Sequence, residues 1–345
     1  MAPDKLRVND PRVESRTAQL NGRTYHYLLG NPAGATPPAA TVVLLHGWPD
    51  LSFGWRYQIP HLLSLGLRVA APDLLGYGRT DAPDPVAAYS LRSVAADIAA
   101  LARHEGGGAG GADDVEARVF VGGHDWGGFL AWRVALWHPS LVRGVFSVCT
   151  PYAPPSPTWV DLPALAARLP HWRYQLQLAG PEAEAALVGR DRLRAFLGGM
   201  FGARGARGEA VFSTSVGVLV DNLDAVAAGG RPCPLLTPEE LDFYADEYAR
   251  SGGGMRGPLN WYRTRRANYE EELELVRGGR TRVAAPALMV VARRDAALPP
   301  AMAEGMGAHF DGGLVRGDVD AGHWALWEAP DQVNAYVGEF VVGVL

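Results

Sequence analysis

Asp125 stands at the centre of the run GHDWGG, residues 123–128. The apolar stretch VFV, residues 119–121, precedes it, and the helix-like FLAWRVALW follows. Strand, tight turn and helix in that order make a nucleophile elbow. Its glycines permit a strained turn, and the central side chain stands exposed at the end of a sheet. Most elbows carry serine there, which suits attack on a carbonyl. A carboxylate can instead displace a leaving group from saturated carbon and remain as an alkyl ester. Two other readings compete. Glycine-rich turns between strand and helix bind phosphates, but this turn has neither G-x-G-x-x-G nor a Lys-Ser/Thr pair, and Asp125 would repel the anion. A turn aspartate can also simply cap the next helix.

An ester at Asp125 has to be hydrolysed, and two residues later in the chain suit that task. His323, in DVDAGHWALWEAP, can take a proton from water. Asp295, in VVARRDAALPP after the apolar LMVVA, can orient the imidazole and stabilise its cation. Each alone reads more readily as an ordinary loop residue, and Asp318 and Asp320 compete for the orienting role. Asp295 is preferred because it falls at a strand end. The run HGWP, residues 46–49, follows TVVLL directly. A loop there supplies a backbone N–H to an anion hole beside the elbow, so Trp48 and Trp126 are the expected N–H donors for the oxyanion of ester hydrolysis. The bland alternative for HGWP is a turn containing proline. His104, His138 and His171 lie in helical or connector contexts and read as structural or exposed.

These residues need a scaffold. Strands are expected over residues 24–29, 41–45, 68–71, 119–121, near 142–150, 285–292 and 314–316, with helical stretches between them. TVVLL is a continuous apolar run, as in a strand buried on both faces. YSLRSVAADIAALARHE has helical spacing with Ser90 as its N-cap candidate. GGGAGGADD, residues 106–114, reads as a flexible surface loop. Residues 151–275 differ: a proline-rich connector, PYAPPSP, leads into the helical segments WRYQLQLAG, PEAEAALVG, RDRLRAFLGGMF and TPEELDFYADEYARSG. The expected fold is α/β, a mostly parallel sheet flanked by helices, with core segments 1–150 and 276–345 interrupted by a helical cap at 151–275. In such sheets ligands bind beyond the carboxyl ends of the strands. A cap over that edge would exclude water and shape an apolar pocket.

Composition narrows the partners. The 345 residues are 48% apolar with a formal net charge of −5, so there is no basic field for nucleic acid or an anionic membrane. Cys149 and Cys233 match no zinc or redox spacing, and a reducing compartment is favoured. No apolar run reaches membrane-spanning length, and no secretory or peroxisomal signal is visible, so a cytoplasmic location is expected. Monomer and homodimer stay equally open, and the chemistry above calls for no metal and no cofactor.

HGWPD, GHDWGG, the Asp295 and His323 contexts and the helical insertion together resemble the soluble-type epoxide hydrolases of the α/β-hydrolase fold. That fold has the same chain order of nucleophile, acid and histidine. The resemblance runs from about Asn21 to the C-terminus. Within the insertion, MRGPLNWYR at residues 255–263 matches the segment that carries one of the family's two epoxide-gripping tyrosines, here Tyr262. RYQLQLAGPEAEAAL matches the segment of the other, here Tyr174, followed by Gln175. The resemblance implies substrate contacts at His46, Pro49, Trp126 and Gln175, and a cis Trp48–Pro49 bond. It departs at Leu75, where the family often has a polar residue. The extra N-terminal domain of some larger relatives has no counterpart here, and its phosphatase activity is not expected. Phenols suit the chemistry independently: neutral at physiological pH, they can protonate the oxygen that a ring-opening attack releases. A small apolar epoxide and water are therefore the expected reactants. A dehalogenase on the same fold is the nearest rival, using N–H donors such as indoles for a halide. A non-catalytic binding protein and a serine-type esterase are more distant alternatives.

Overall fold

The computed structural model describes residues 3–34, 37–106, 118–250 and 254–345. Most of the glycine-rich stretch expected as a surface loop lies outside these residues. In chain order the first elements are β1 (Val13–Leu20), β2 (Arg23–Gly30), β3 (Thr41–Leu45), α1 (Gln58–Ser64), β4 (Arg68–Pro72), α2 (Leu91–Gly106), β5 (Val119–His124), α3 (Trp126–Trp137) and β6 (Val142–Val148). A helical stretch follows, with α4 (Leu162–Arg168), α5 (Tyr174–Ala179), α6 (Glu182–Ala186), α7 (Arg190–Met200), α8 (Leu223–Ala227), α9 (Pro238–Arg250) and α10 (Arg256–Arg263). Its strands are two-residue ladders: β7 (Arg204–Gly205) with β10 (Gly230–Arg231), and β8 (Phe212–Ser213) with β9 (Gly217–Val218). The chain ends with α11 (Arg265–Arg277), β11 (Ala287–Ala292), β12 (Leu314–Val319), α12 (Ala325–Glu328) and α13 (Pro330–Val344).

The large sheet runs β1-β2-β4-β3-β5-β6-β11-β12. From β4 to β12 its neighbours pair in parallel; β1 and β2 add antiparallel ladders. All residues of β3, β5 and β11 are buried, which explains their unbroken apolar sequences: each strand buries both faces. In α2 the buried Leu91, Val94, Ala95, Ile98, Leu101 and Ala102 recur at helical spacing and form one inward stripe. After β3 the chain adds β4 on one side, and β5 then joins on the other. This reversal leaves the ends of β3 and β5 side by side, with Leu45 opposite Gly123. The next neighbour brings the end of β6 level, with Val148 opposite both His124 and Val290. A crevice at such a reversal is where α/β sheets place ligands.

Contacts divide the chain into two units, one of residues 1–74, 91–157 and 268–345, the other of residues 75–90 and 158–267. The sequence reading set its limits at 151 and 275. Three contacts explain why most of α11 belongs to the sheet-bearing unit. Asn268 Oδ1 accepts the Leu91 N–H at 2.8 Å. Glu272 takes a two-pronged bond from the buried Arg133 guanidinium, at 2.8 and 3.1 Å. Leu275 is fully buried. Breaking one partner of a buried pair such as Arg133–Glu272 costs about 3–5 kcal/mol.

Residues 75–90 group with the helical unit for equally local reasons. The Trp261 indole donates to the Leu75 carbonyl at 3.0 Å, and Arg79 bonds Glu247 through two nitrogens. Within that unit α9 opens on a capping box, in which Thr237 and Glu240 exchange side-chain-to-backbone bonds. Arg263 ties α10 to the end of α5 through the Ala179 and Gly180 carbonyls, and to Glu184 of α6. Among the described residues no helix is long and apolar enough to cross a membrane.

Candidate active site

Asp125 joins β5 to α3 at φ 53, ψ −122, a left-handed backbone that side chains rarely adopt. Tight packing enforces it. A Cβ on Gly127 would lie 2.0 Å from the Leu45 carbonyl oxygen, so only glycine lets the first turn of α3 cross the end of β3. The Thr150 hydroxyl donates to the Asp125 carbonyl at 2.7 Å, pinning the turn from the β6 side. Strain of this kind is held only where surrounding structure over-determines it.

The loop after β3 completes one side. Trp48 N–H donates to Asp125 Oδ1 at 2.7 Å, and the Trp126 N–H also bonds this carboxylate. A Cβ on Gly47 would lie 2.6 Å from that same Oδ1, so glycine is what allows the loop this close. Trp48–Pro49 is cis. Both expected N–H donors therefore converge on Asp125. His46 is different: it is fully buried, and both ring nitrogens are engaged. Leu74 N–H donates to Nε2 at 2.9 Å, which leaves Nδ1–H to donate to the Gly47 carbonyl at 2.8 Å. Burial holds its pKa down to about 4. Where the resemblance implied substrate contact, the structure gives His46 the work of shaping the loop. Pro49 is likewise buried, while Trp126 is partly exposed.

On the other side, His323 Nε2 lies 3.6 Å from Asp125 Oδ2, and its Nδ1 lies 2.7 Å from Asp295 Oδ2. Asp295 follows β11, and the N–H groups of Ala297 and Leu298 hold its Oδ1 at 2.8 and 2.9 Å. The rival carboxylates are spoken for: Asp318 pairs with Arg316, and Asp320 with Arg294. Charge follows geometry. Burial works to raise Asp295, but the His323 charge and hydrogen bond, with the two backbone N–H groups, hold it down at about 2. Burial works to lower His323, and the charge and hydrogen bond of Asp295, then the charge of Asp125, lift it to about 9. Burial leaves Asp125 above its ordinary value, although His323 and the two N–H groups pull the other way. The arrangement is a donor-held carboxylate, with Oδ1 tied by the Trp48 N–H and Oδ2 facing an oriented imidazole.

Two neighbours escaped the sequence reading. His124, next to Asp125 and fully buried, packs its ring 5.0 Å from that of His323. Cys149, just after β6, is also buried and lies in the left-handed region at φ 69. The signal for His124 was its place inside the elbow motif; Cys149 carried none.

In the helical unit, Tyr174 begins α5 and Tyr262 lies on α10. Both are buried, with ring centroids 6.1 Å apart and nearly perpendicular. Phe212 packs on Tyr174 at 5.4 Å. Two tyrosines 88 positions apart in sequence thus form one aromatic pair. Gln175 is half-buried. Its neighbour Gln177 engages both polar groups of Val218, at 3.0 and 2.6 Å, and so fixes α5 against β9.

The family described as the alpha/beta hydrolase fold matches residues 40–330. Epoxide hydrolase srdG of Neurospora crassa is 44% identical over 99% of both chains. Bifunctional epoxide hydrolase 2 of Rattus norvegicus is 33% identical over 85% of this chain, and the match covers 50% of that longer protein. Among solved structures, epoxide hydrolase A of Mycobacterium thermoresistibile superposes with a TM-score of 0.76 at 30% identity, covering 96% of this chain and 98% of that one. Epoxide hydrolase VrEH1 of Vigna radiata gives 0.78 at 25% identity, covering 98% and 100%. The chain belongs to the epoxide hydrolases of the α/β-hydrolase fold, and so to the hydrolytic enzymes.

Proposed function

We propose that the protein adds water to a small apolar epoxide and releases a vicinal diol, through an alkyl ester on Asp125. The observation that carries this reading is the unequal treatment of the two carboxylate oxygens. Oδ1 accepts the Trp48 N–H at 2.7 Å, while Oδ2 faces His323 at 3.6 Å. Oδ2 attacks the less hindered epoxide carbon as the C–O bond opposite it breaks. Tyr174 and Tyr262 hold the departing oxygen and supply its proton, so no free alkoxide forms. The ester carbonyl oxygen is then Oδ1, already bonded by the Trp48 N–H, which together with the Trp126 N–H stabilises the oxyanion of hydrolysis.

Esterification also removes the Asp125 negative charge. One of the anions that hold the His323 proton is then gone, so His323 more readily releases that proton to solvent and becomes the neutral base that deprotonates water. Asp295 keeps the imidazole oriented and stabilises its cation as water attacks. The reaction takes place in the cytoplasm and needs no added cofactor.

The test is product analysis with styrene oxide and a matched haloalkane. Phenylethanediol is expected from the first and negligible halide release from the second. Halide release without diol would make the protein a dehalogenase.

A further inference from the structure

The ends of β5, β6 and the loop after β12 bring together three donors of a kind that the proposed reaction does not use as a set. One ligating atom from each of His124, Cys149 and His323 lies within 4.8 Å of the other two. His124 and Cys149 are buried, while the His323 side chain is 19% exposed, which gives the cluster an opening. His124 Nε2 lies 2.8 Å from the His323 carbonyl, and Cys149 Sγ points at the same oxygen from 3.4 Å. A carbonyl only accepts, so Nε2 carries the proton and Nδ1 keeps its lone pair. Among the described residues that buried Nδ1 has no hydrogen-bond partner. An unsatisfied buried acceptor in a native core calls for an explanation, and a metal ligand role is one.

We propose that His124, Cys149 and His323 form a site for a borderline divalent ion of the zinc class, and that its occupancy switches hydrolysis off. Two imidazoles and a thiolate suit such an ion, whereas magnesium and calcium prefer oxygen. Tetrahedral zinc with Zn–N near 2.0–2.1 Å and Zn–S near 2.3 Å sets its donors about 3.3–3.6 Å apart. The donors now lie within 4.8 Å of one another, so they draw closer on binding the ion. As the metal–sulfur bond forms, the thiol proton passes to water. The proton held on His323 Nε2 likewise passes to water, so that both imidazoles contribute lone pairs, a water completes the shell, and no group changes oxidation state. A metal-bound His323 cannot accept a proton from water. The inhibitory part rests on the hydrolase reading; the binding part does not.

Cobalt, which substitutes for zinc and reports on thiolate ligation by its near-ultraviolet band, separates the two. Cobalt is titrated into the full-length protein, Cys149→Ser and Cys233→Ser, with folding checked by circular dichroism. The expected result is a saturable thiolate–cobalt band in the wild type and Cys233→Ser, bleached by zinc and missing in Cys149→Ser. Zinc should then lower epoxide turnover at least tenfold in the wild type, and much less in Cys149→Ser, each relative to its own zinc-free rate. A folded wild type without the band, or a band that survives in Cys149→Ser but not in Cys233→Ser, overturns the site. Should Cys149→Ser fail to fold, protection of Cys149 from alkylation by zinc in the wild type, read by peptide mass spectrometry, decides the same question, with unchanged labelling as the contrary result. Cobalt binding in a protein that turns over no epoxide at all would overturn the hydrolase reading and leave the metal site standing.

Discussion

His323 Nδ1 and Asp295 Oδ2 lie 2.7 Å apart, although one follows β12 and the other follows β11. The two strands are parallel neighbours, with Ala292 opposite Val319, so their following loops emerge side by side. Asp295 is tied by backbone N–H groups before it meets the histidine. The imidazole is therefore presented in one tautomer, with Nε2 turned toward Asp125.

Losing that tautomer should stall the second half of the reaction. Asp295→Asn keeps the shape but leaves the imidazole uncompensated, and an analogous change in serine proteases lowers kcat by about 10⁴. We expect ester hydrolysis to slow by roughly 10³–10⁴ and ester formation by far less. Single-turnover kinetics would show a rapid first phase and a nearly absent second one. Equal slowing of both phases would remove Asp295 from the hydrolytic step.

The tyrosines should act as a redundant pair. Tyr174→Phe or Tyr262→Phe alone should lower kcat/KM by about 10-fold to 100-fold, and the double change by about 10⁴, the upper range for acid assistance. Both rings keep their aromatic packing in the phenylalanine variants, so melting temperatures should barely move. Wild-type turnover in the double variant would refute the phenol role.

The raised pKa of His323 has a consequence for stability. Its folded value of about 9 exceeds its ordinary 6.5. Its stabilising contribution is complete below about pH 6.5 and disappears as pH rises through about 9. Wild-type melting temperature should therefore fall more between about pH 6 and pH 10 than that of His323→Gln. Parallel pH profiles for the two proteins would show that His323 is not held protonated in the fold.

Much of this site could be read from the chain, for reasons that differ by element. TVVLL matches β3 residue for residue because a strand covered on both faces has no polar positions to blur its ends. β1 gave no such signal. VESRTAQL is mostly exposed, and it holds its place through a ladder with β2 alone at the sheet edge. Asp125 stood out through its glycines, which reflect backbone contacts. Asp295 was separable from Asp318 and Asp320 only by its place after an apolar strand. Nothing local revealed that residues 75–90 group with the helical unit, since Trp261–Leu75 and Arg79–Glu247 join segments more than 150 residues apart. The role of His46 was hidden too, because a buried, backbone-bonded histidine and a substrate-facing one have the same sequence.

Glycine positions at the elbow give a purely steric prediction. Gly127→Ala would set a methyl 2.0 Å from the Leu45 carbonyl, whereas a methyl at Gly343 meets nothing within 4 Å. Gly127→Ala should destabilise the protein by about 1–3 kcal/mol or more, as overpacked cores do. Gly343→Ala, inside α13, should be neutral or gain up to about 1 kcal/mol. Denaturant midpoints measure both. A neutral Gly127→Ala would mean that the elbow is less tightly determined than its contacts imply.

The central claim is a covalent ester on Asp125, and it is tested most directly by intact-protein and peptide mass spectrometry of His323→Gln after incubation with styrene oxide. Without its base the ester should persist, giving a mass gain of one epoxide on the peptide that carries Asp125 and none in an Asp125→Ala/His323→Gln double variant. Diol formed at the wild-type rate by His323→Gln, or an adduct located on any other residue, would contradict the account.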